Sequence, residues 1–335
     1  MRIQIVRRII QLFFFLLISY GVYKFYSFVY YGSRRPDFTD AFLPIAGVFD
    51  VILKLKTGVT DPFHPAAMAI ILTTVLTTLF IGRSFCGWIC PVGTFLDFLT
   101  YLRKEILRLN LRVGKLKAVR ESVVFSILDV AMRIPKYLIA FWFIYIMVKM
   151  PPQVMLTIAQ QSNVDADIKL FKFWVDLFQG KENLYAVIFL LIIIFSFVIP
   201  RFWCRYLCPL GAFYGIFNLF SLLRLRREKS ICKSCRDCDV CPVGLLPFKS
   251  VEFNNTECIM CLKCQDNCST GALRFELLGR IFPKFLYPAV LLILFFGSIE
   301  IFKLAGVWHS ALTLREEAFL LLRNGFNSHW IHVGG

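Results

Sequence analysis

An all-helical protein that crosses a membrane about five times, with one small cysteine-rich domain inserted, is the fold class this sequence predicts. Three observations carry it. Of its 335 residues 58% are hydrophobic and 36 are Phe, a composition foreign to ordinary soluble domains. Apolar runs of about 20 residues, the length that crosses a bilayer, recur along the chain. The twelve cysteines sort into four at the ends of apolar runs and eight crowded into 232–268.

The first span covers 9–30. Arg2, Arg7 and Arg8 lead into it, which by the positive-inside rule puts the N-terminus in the cytoplasm. No small-residue cleavage site follows, so this run reads as an anchor rather than a signal peptide. Phe42, Ile45, Phe49 and Ile52 then recur at helical spacing, predicting a helix on the outer surface. The second span, 66–85, returns to the inner side. Arg103, Lys104, Arg108, Arg112, Lys115, Lys117 and Arg120 against Glu105 and Glu121 mark a cytoplasmic loop.

Residues 122–132 are apolar but few and carry Asp129, so they read as interfacial or re-entrant. The third span, 135–150, ends at Pro151-Pro152. Ile168, Phe171, Trp174 and Phe178 predict a second surface helix, and 183–200 is the fourth span. Arg224, Arg226, Arg227 and Lys229 mark the inner face again. The fifth span, 284–305, leaves the tail outside, where Thr313-Leu-Arg-Glu316 suits a capping box and Gly325 a helix stop. The expected domains are a membrane domain (1–229), a cytoplasmic cysteine-rich domain (230–276), and the fifth span with its outer tail (277–335). The net charge of +16 lies mostly beside membrane segments. It therefore reads as topology and lipid-headgroup contact rather than nucleic-acid binding.

A motif occurs twice, Arg83-Ser-Phe-Cys86-Gly-Trp-Ile-Cys90-Pro91-Val-Gly93 and Arg201-Phe-Trp-Cys204-Arg-Tyr-Leu-Cys208-Pro209-Leu-Gly211, 118 residues apart. Proline after the second cysteine disfavours helix at that cysteine yet suits the first turn of a new one. Each copy is a broken helix, with two thiols at the break and the positive end of the next helix behind them. Both copies arrive from the outer side, which predicts a parallel internal repeat. Cys86, Cys90, Cys204 and Cys208 are then a four-cysteine metal or redox site, or else inert thiols at structural breaks. Arg83 and Arg201 are either counter-charges for that site or positive-inside anchors.

The eight remaining cysteines read Cys232-x2-Cys235-x2-Cys238-x2-Cys241-Pro242 and Cys258-x2-Cys261-x2-Cys264-x3-Cys268. A cubane cluster takes three thiolates from a tight turn and a fourth from a distance, and paired runs exchange their fourth ligands. This assigns Cys232, Cys235, Cys238 and Cys268 to one [4Fe-4S] cluster, and Cys258, Cys261, Cys264 and Cys241 to the other. The insert is thus a bacterial 2[4Fe-4S] ferredoxin-like domain; zinc sites or disulfides are the alternatives. Two features depart from the usual pattern: two residues rather than three precede Cys241, and Ser269 replaces the proline after Cys268.

Twin Cys-x3-Cys-Pro motifs followed by paired ferredoxin runs resemble the membrane iron–sulfur proteins of the NapH/NosR type. The resemblance covers 9–274. It implies a quinol-dehydrogenase or electron-transfer component of a respiratory complex in the bacterial inner membrane. It also implies quinone as substrate and cytochrome or iron–sulfur subunits as partners, with the outer tail as a docking candidate. The related CcoG-type copper reductases share both motif kinds; a copper-handling assembly factor and a redox sensor or scaffold are therefore the competing functions. Only seven Met and four His are available for metal delivery. His64, His309, His329 and His332 offer no pair at the two membrane depths a b-type haem needs, and His329-x2-His332 is a candidate haem ligand or quinol contact, with solvated tail histidines the alternative. Glu300 in the fifth span is a candidate proton acceptor for quinol.

Overall fold

The computed structural model describes residues 3–33, 35–36, 44–61, 64–103, 123–161, 166–181, 183–235, 237–248, 251–253, 255–309, 314–323 and 325–326. Most of the basic loop after Arg103, together with Phe42, Thr313, His329 and His332, lies outside these residues.

The chain is mostly helical. Among the described residues three helices are long and apolar enough to cross a membrane: α1 (Ile3–Tyr31), the stretch Ile127–Lys149, and Tyr287–Leu304; Pro65–Ile81 and Leu184–Val198 are apolar but shorter. In chain order α2 (Pro44–Thr57) and α3 (Pro65–Ile81) follow α1, then one π-helical turn (Phe85–Ile89) and α4 (Pro91–Tyr101). Next come α5 (Val123–Lys149), α6 (Pro152–Gln161), α7 (Ala166–Phe178) and α8 (Asn183–Val198). A second π turn (Trp203–Leu207) leads to α9 (Pro209–Asn218). Strands β1 (Leu223–Arg227) and β2 (Glu252–Phe253), the short α10 (Lys263–Asp266), and β3 (Leu273–Leu277) and β4 (Arg280–Phe282) follow, and α11 (Tyr287–Leu304) and α12 (Leu314–Arg323) close the chain.

The chain folds into two compact units: one is 1–15, 75–143 and 190–292, the other 16–74, 144–189 and 293–335. In the second, Phe25, Phe28 and Val29 of α1 pack with Ile168 of α7 and with Leu320, Leu321 and Phe326 at the end of α12. Gly325 stops α12 with a left-handed backbone (φ 79°). The amides of Gly325 and Phe326 return to the carbonyls of Leu322 and Leu321, satisfying carbonyls that the helix end orphans. Lys56 does the same for α5, donating to the carbonyls of Val148 (2.5 Å) and Met150 (2.7 Å).

The first unit holds all twelve cysteines. Its antiparallel sheet runs β2-β1-β3-β4. Leu223 and Leu225 point in while Arg224 and Arg226 point out, the alternation a one-sided sheet requires. The boundaries expected at 229/230 and 276/277 cut this sheet, since β1 pairs with β3 from Leu223↔Leu277 to Arg227↔Leu273. The cysteine-rich segment shares a compact unit with the twin motif.

A single helix, α5, replaces the separate segments expected at 122–132 and 135–150; it runs through Pro135. Asp129, which argued against a continuous span, is neutralised by Arg133 and Arg205 at 2.5 Å each and accepts from Tyr206 at 2.6 Å. A proline inside a membrane helix is tolerated where neighbouring groups re-satisfy the freed backbone. Arg103, read as a topology marker, is buried and donates to the carbonyls of Phe197 (2.7 Å) and Val198 (2.5 Å), capping α8.

Candidate metal centres

Both copies of the twin motif adopt one local geometry. Five residues form a π turn, closed by the amide of Cys90 on the Phe85 carbonyl and of Cys208 on the Trp203 carbonyl, each 2.9 Å. Cys90 and Cys208 then turn extended (ψ 122° and 109°), and proline opens the next helix. The turn closes from residue i to i+5, a geometry frequent at functional sites. Free amides at the new helix starts point to sulfur; Gly211 donates to Cys208 Sγ at 3.3 Å.

The four thiols of the copies act on one another. Burial, then Cys86 beside it, pushes Cys90 up to about 12. Cys204 is held well above the ordinary thiol range by burial, and Cys208, Cys90 and Cys86 add to that while Arg201 opposes it. Cys208 is likewise raised by burial and by Cys86. Cys90, Cys204 and Cys208, raised by burial, stay protonated on their own. A cationic centre bound among them would draw these thiols to thiolates.

Arg83 and Arg201 are 1% and 0% exposed, which removes the reading of both as surface anchors. Arg83 Nε donates to Cys86 Sγ (3.2 Å) and its Nη1 to the Thr256 carbonyl (2.9 Å). Arg201 donates to the Cys86 carbonyl (2.8 Å) and to both carboxylate oxygens of Asp97 (3.0 and 2.9 Å). The copies interlock through these side chains. A Cβ on Gly211 would stand 2.5 Å from Arg83 Nη2, and one on Gly93 would stand 3.3 Å from Arg201 Nη1. At Gly211 the first copy's arginine occupies the space a side chain would need; at Gly93 the Cys86 carbonyl lies closest, 2.8 Å from a Cβ, with Arg201 behind it.

Cys241, Cys258, Cys261 and Cys264 line one cavity, walled by Leu225 and Phe275. Burial pushes Cys258 up to about 12 and, with help from Cys261, Cys241 up to about 11; Cys264 is raised well above its ordinary range. Cys232, Cys235, Cys238 and Cys268 form the other set, and the first, second and fourth of these act electrostatically on Cys238, which burial raises. Here Cys235 is exposed. Burial raises Cys268, but the Thr270 hydroxyl and the amides of Leu273, Ala272 and Thr270 outweigh it, leaving that thiol lowered. Ser269, the unusual residue after Cys268, lies 3.6 Å from Cys235 Sγ and donates to Asp237 at 2.7 Å. Both runs place a left-handed residue before their second cysteine, Ser234 (φ 55°) and Met260 (φ 49°). Such strain is held only where the surroundings demand it. Soft donors in sets of four, with amides aimed at sulfur, suit an iron–sulfur cluster in each set.

The closed run is fastened directly to the twin motif. Trp88 Nε1 donates to the Met260 carbonyl (2.8 Å) and Gln4 to that of Cys261 (3.0 Å). Asn218 accepts from the Arg83 amide (2.8 Å) and donates to the Asn255 carbonyl (2.7 Å). A side chain on Gly87 would collide with the Ile259 carbonyl, and one on Gly244 with the Arg205 guanidinium. Residues 87 and 205 occupy equivalent places in the two copies, so one copy seats the second cysteine run and the other the chain after Cys241.

Asp97, Asn218, Lys136 and Glu257 escape the sequence reading. Arg7 was visible there only as a topology charge, yet it is 2% exposed, donates to the Gly87 carbonyl (2.9 Å) and pairs with Asp97. A register comparison of the copies flags two of the missed residues, because Asp97 faces Gly215 and Thr100 faces Asn218. Glu300 is exposed and pairs with Lys303 at 2.7 Å, one turn away on α11. His64 is buried 3.9 Å from Asp61.

A family described as a 4Fe-4S binding domain matches residues 63–110 and 184–229. These segments contain the four twin-motif cysteines and none of Cys232–Cys268. YccM of Escherichia coli (strain K12), which bears an electron-transport name, is 30% identical over 82% of this chain and 76% of its own length. The uncharacterized protein MJ0750 of Methanocaldococcus jannaschii is 30% identical over 82% of this chain and 96% of its own. The methylamine utilization ferredoxin-type protein MauN of Methylorubrum extorquens is 28% identical over 52% of this chain and 51% of its own. No solved structure matches.

Proposed function

The chain belongs to the NapH/NosR-type family of membrane-associated, ferredoxin-type electron-transport proteins, and from that premise we propose that it moves electrons between the quinone pool and a redox partner. In this reading Cys232, Cys235, Cys238 and Cys268 hold one [4Fe-4S] cluster and Cys241, Cys258, Cys261 and Cys264 the second. The twin-motif cysteines hold a further metal or redox centre. Clusters bound in this way supply one-electron storage. The protein supplies position, insulation and charge. Leu225 and Phe275 wall water from the closed set, while exposed Cys235 marks the edge that a partner reaches.

The observation that carries the reading is the fastening of the closed cysteine run onto the twin motif through Trp88, Gln4, Arg83 and Asn218. A ferredoxin segment serving only as a tethered carrier needs no such seat. Five crossings of a bacterial inner membrane, with the N-terminus and the sheet in the cytoplasm and the tail outside, complete the arrangement. The spans would relate as a parallel repeat, with cytochrome or iron–sulfur subunits as partners.

The test uses anaerobically purified full-length protein in lipid. A reduced quinol analogue should bleach the cluster absorbance, and an oxidised quinone should restore it. Clusters that dithionite reduces and quinols never do would sink the quinone assignment.

A further inference from the structure

Large apolar side chains stand exposed at one corner of the sheet. They are Phe220 and Leu222 between α9 and β1, Leu278 at the tip of the β3–β4 hairpin, Ile281 of β4, and Phe285 before α11. Each is more than a third exposed, Leu278 at 78% and Phe285 at 72%. The register Leu223↔Leu277 brings the α9–β1 corner against the hairpin tip. A lone exposed apolar residue is ordinary, but a cluster of this kind marks a surface that something covers.

Two hydrogen bonds fix where that corner sits. The Leu222 amide donates to the Leu79 carbonyl (2.8 Å), in the last turn of α3. The Tyr287 hydroxyl, at the start of α11, donates to the Ile81 carbonyl (3.2 Å). With α11 across a bilayer, the ledge stands where acyl chains meet water. The outward face of the sheet grades away from it. Its first outward row is Arg224–Glu276–Ile281, and the next is the wholly charged Glu252–Arg226–Arg274. Arg226 pairs with Glu276 (3.1 Å) and Lys284 with Asp266 (3.3 Å). Among the described residues that leaves Arg224 and Arg280, both exposed, without a carboxylate.

We propose that this corner is a seat on the bilayer surface, in which Phe220, Leu222, Leu278, Ile281 and Phe285 enter the boundary between headgroups and acyl chains while Arg224 and Arg280 take anionic phospholipid headgroups. Apolar and basic side chains on one ledge are the chemistry of an interfacial anchor; a nucleic acid or an acidic protein is met by charge alone. A protein subunit also covers apolar residues, and continuity favours lipid over it. The ledge runs through Phe285 and Leu286, both exposed, directly into α11, so its surface continues that of a membrane helix. The seat holds the sheet, and with it the cysteine-rich segment between β1 and β3, against the membrane. It goes beyond the electron-transfer reading and does not depend on it.

The test uses full-length protein in nanodiscs of phosphatidylcholine with a minority of phosphatidylglycerol. A photoreactive benzophenone amino acid replaces Leu278, Phe220 or, as the control, exposed Lys229 beyond the far end of β1. Irradiation should give lipid adducts at 278 and 220, read by mass spectrometry, and several-fold fewer at 229. Phosphatidylglycerol should be enriched among the adducts by about fivefold over its share of the bilayer. Arg224→Gln combined with Arg280→Gln should remove that enrichment while the adducts persist. If the double variant fails to accumulate, Arg280→Gln alone must still lower the enrichment. No lipid adducts at 278, or equal yields at 278 and 229, overturn the seat. Adducts without enrichment overturn the headgroup role of the two arginines. Irradiation in native membranes separates lipid from a subunit, and adducts to another polypeptide in place of lipid at 278 also overturn the seat. None of these outcomes bears on reduction of the clusters by quinol, which tests the electron-transfer reading separately.

Discussion

The two cysteine sets of the 232–268 segment share a spacing and differ in surroundings. The closed set is walled by Leu225 and Phe275, and Cys258, Cys241 and Cys264 are all raised by burial. The open set has Cys235 exposed and Cys268 lowered, with Thr270, Ser269 and three amides around it. Spacing determines which sulfurs meet, whereas burial and hydrogen bonding determine what those sulfurs can do. The closed set suits an interior relay and the open one an exchange point.

The comparison breaks most sharply at the ligands. Cys261→Ser should lose about four iron atoms per chain and abolish electron transfer, with destabilisation as an unfilled buried site opens. Cys235→Ser should lose the open cluster yet leave the fold intact. Iron counts and thermal melting separate the two; equal destabilisation would erase the distinction.

A smaller effect is expected where the closed run is seated. Gly87→Ala forces a side chain into the Ile259 carbonyl, and overpacking of that kind costs about 1–3 kcal/mol. Melting temperature and retention of the closed cluster should both fall. Gly271→Ala, whose Cβ would meet nothing but whose φ is 67°, should cost about 1 kcal/mol and spare both clusters.

Thiol reactivity sharpens the same contrast. In iron-free protein at pH 8, Cys258 at about 12 should be on the order of 10⁻⁴ thiolate. The lowered Cys268 should be alkylated orders of magnitude faster, as mass spectrometry of iodoacetamide-treated protein can show. Comparable rates would mean that the two environments are alike.

The smallest effect is on acid stability. Burial works against the Glu257 carboxylate, but Lys136 and Arg83 outweigh it and hold its pKa below the ordinary value. A depressed carboxylate stabilises the fold above its unfolded pKa of about 4.3. That contribution is lost as pH falls through the folded value. Glu257→Gln should flatten this acid limb of the melting curve, and an unchanged limb would assign the loss to other carboxylates.

The two four-cysteine sets are legible in the sequence because ligand spacing is local: a turn that presents three sulfurs leaves its mark within ten residues. The helix breaks at Cys90 and Cys208 are legible for the same reason, through Pro91 and Pro209. What packs against what is not local. Arg7 looks like a topology signal until Asp97, 90 residues on, is seen to bury it. Asp129 seemed to forbid a span because its partner Arg205 lies 76 residues away. The pairing of β1 with β3 across the whole cysteine-rich segment is non-local in the same way.

The most direct test of the paired-cluster wire is EPR of the dithionite-reduced, anaerobically purified chain. Cys238 and Cys241 are neighbours in sequence yet belong to different sets, so the two reduced clusters must lie close. A spin-coupled spectrum in which the ferredoxin-type signal integrates to about two spins per chain is the predicted result. Two independent signals would contradict the exchanged ligands, and a colourless, iron-free chain would contradict the account as a whole.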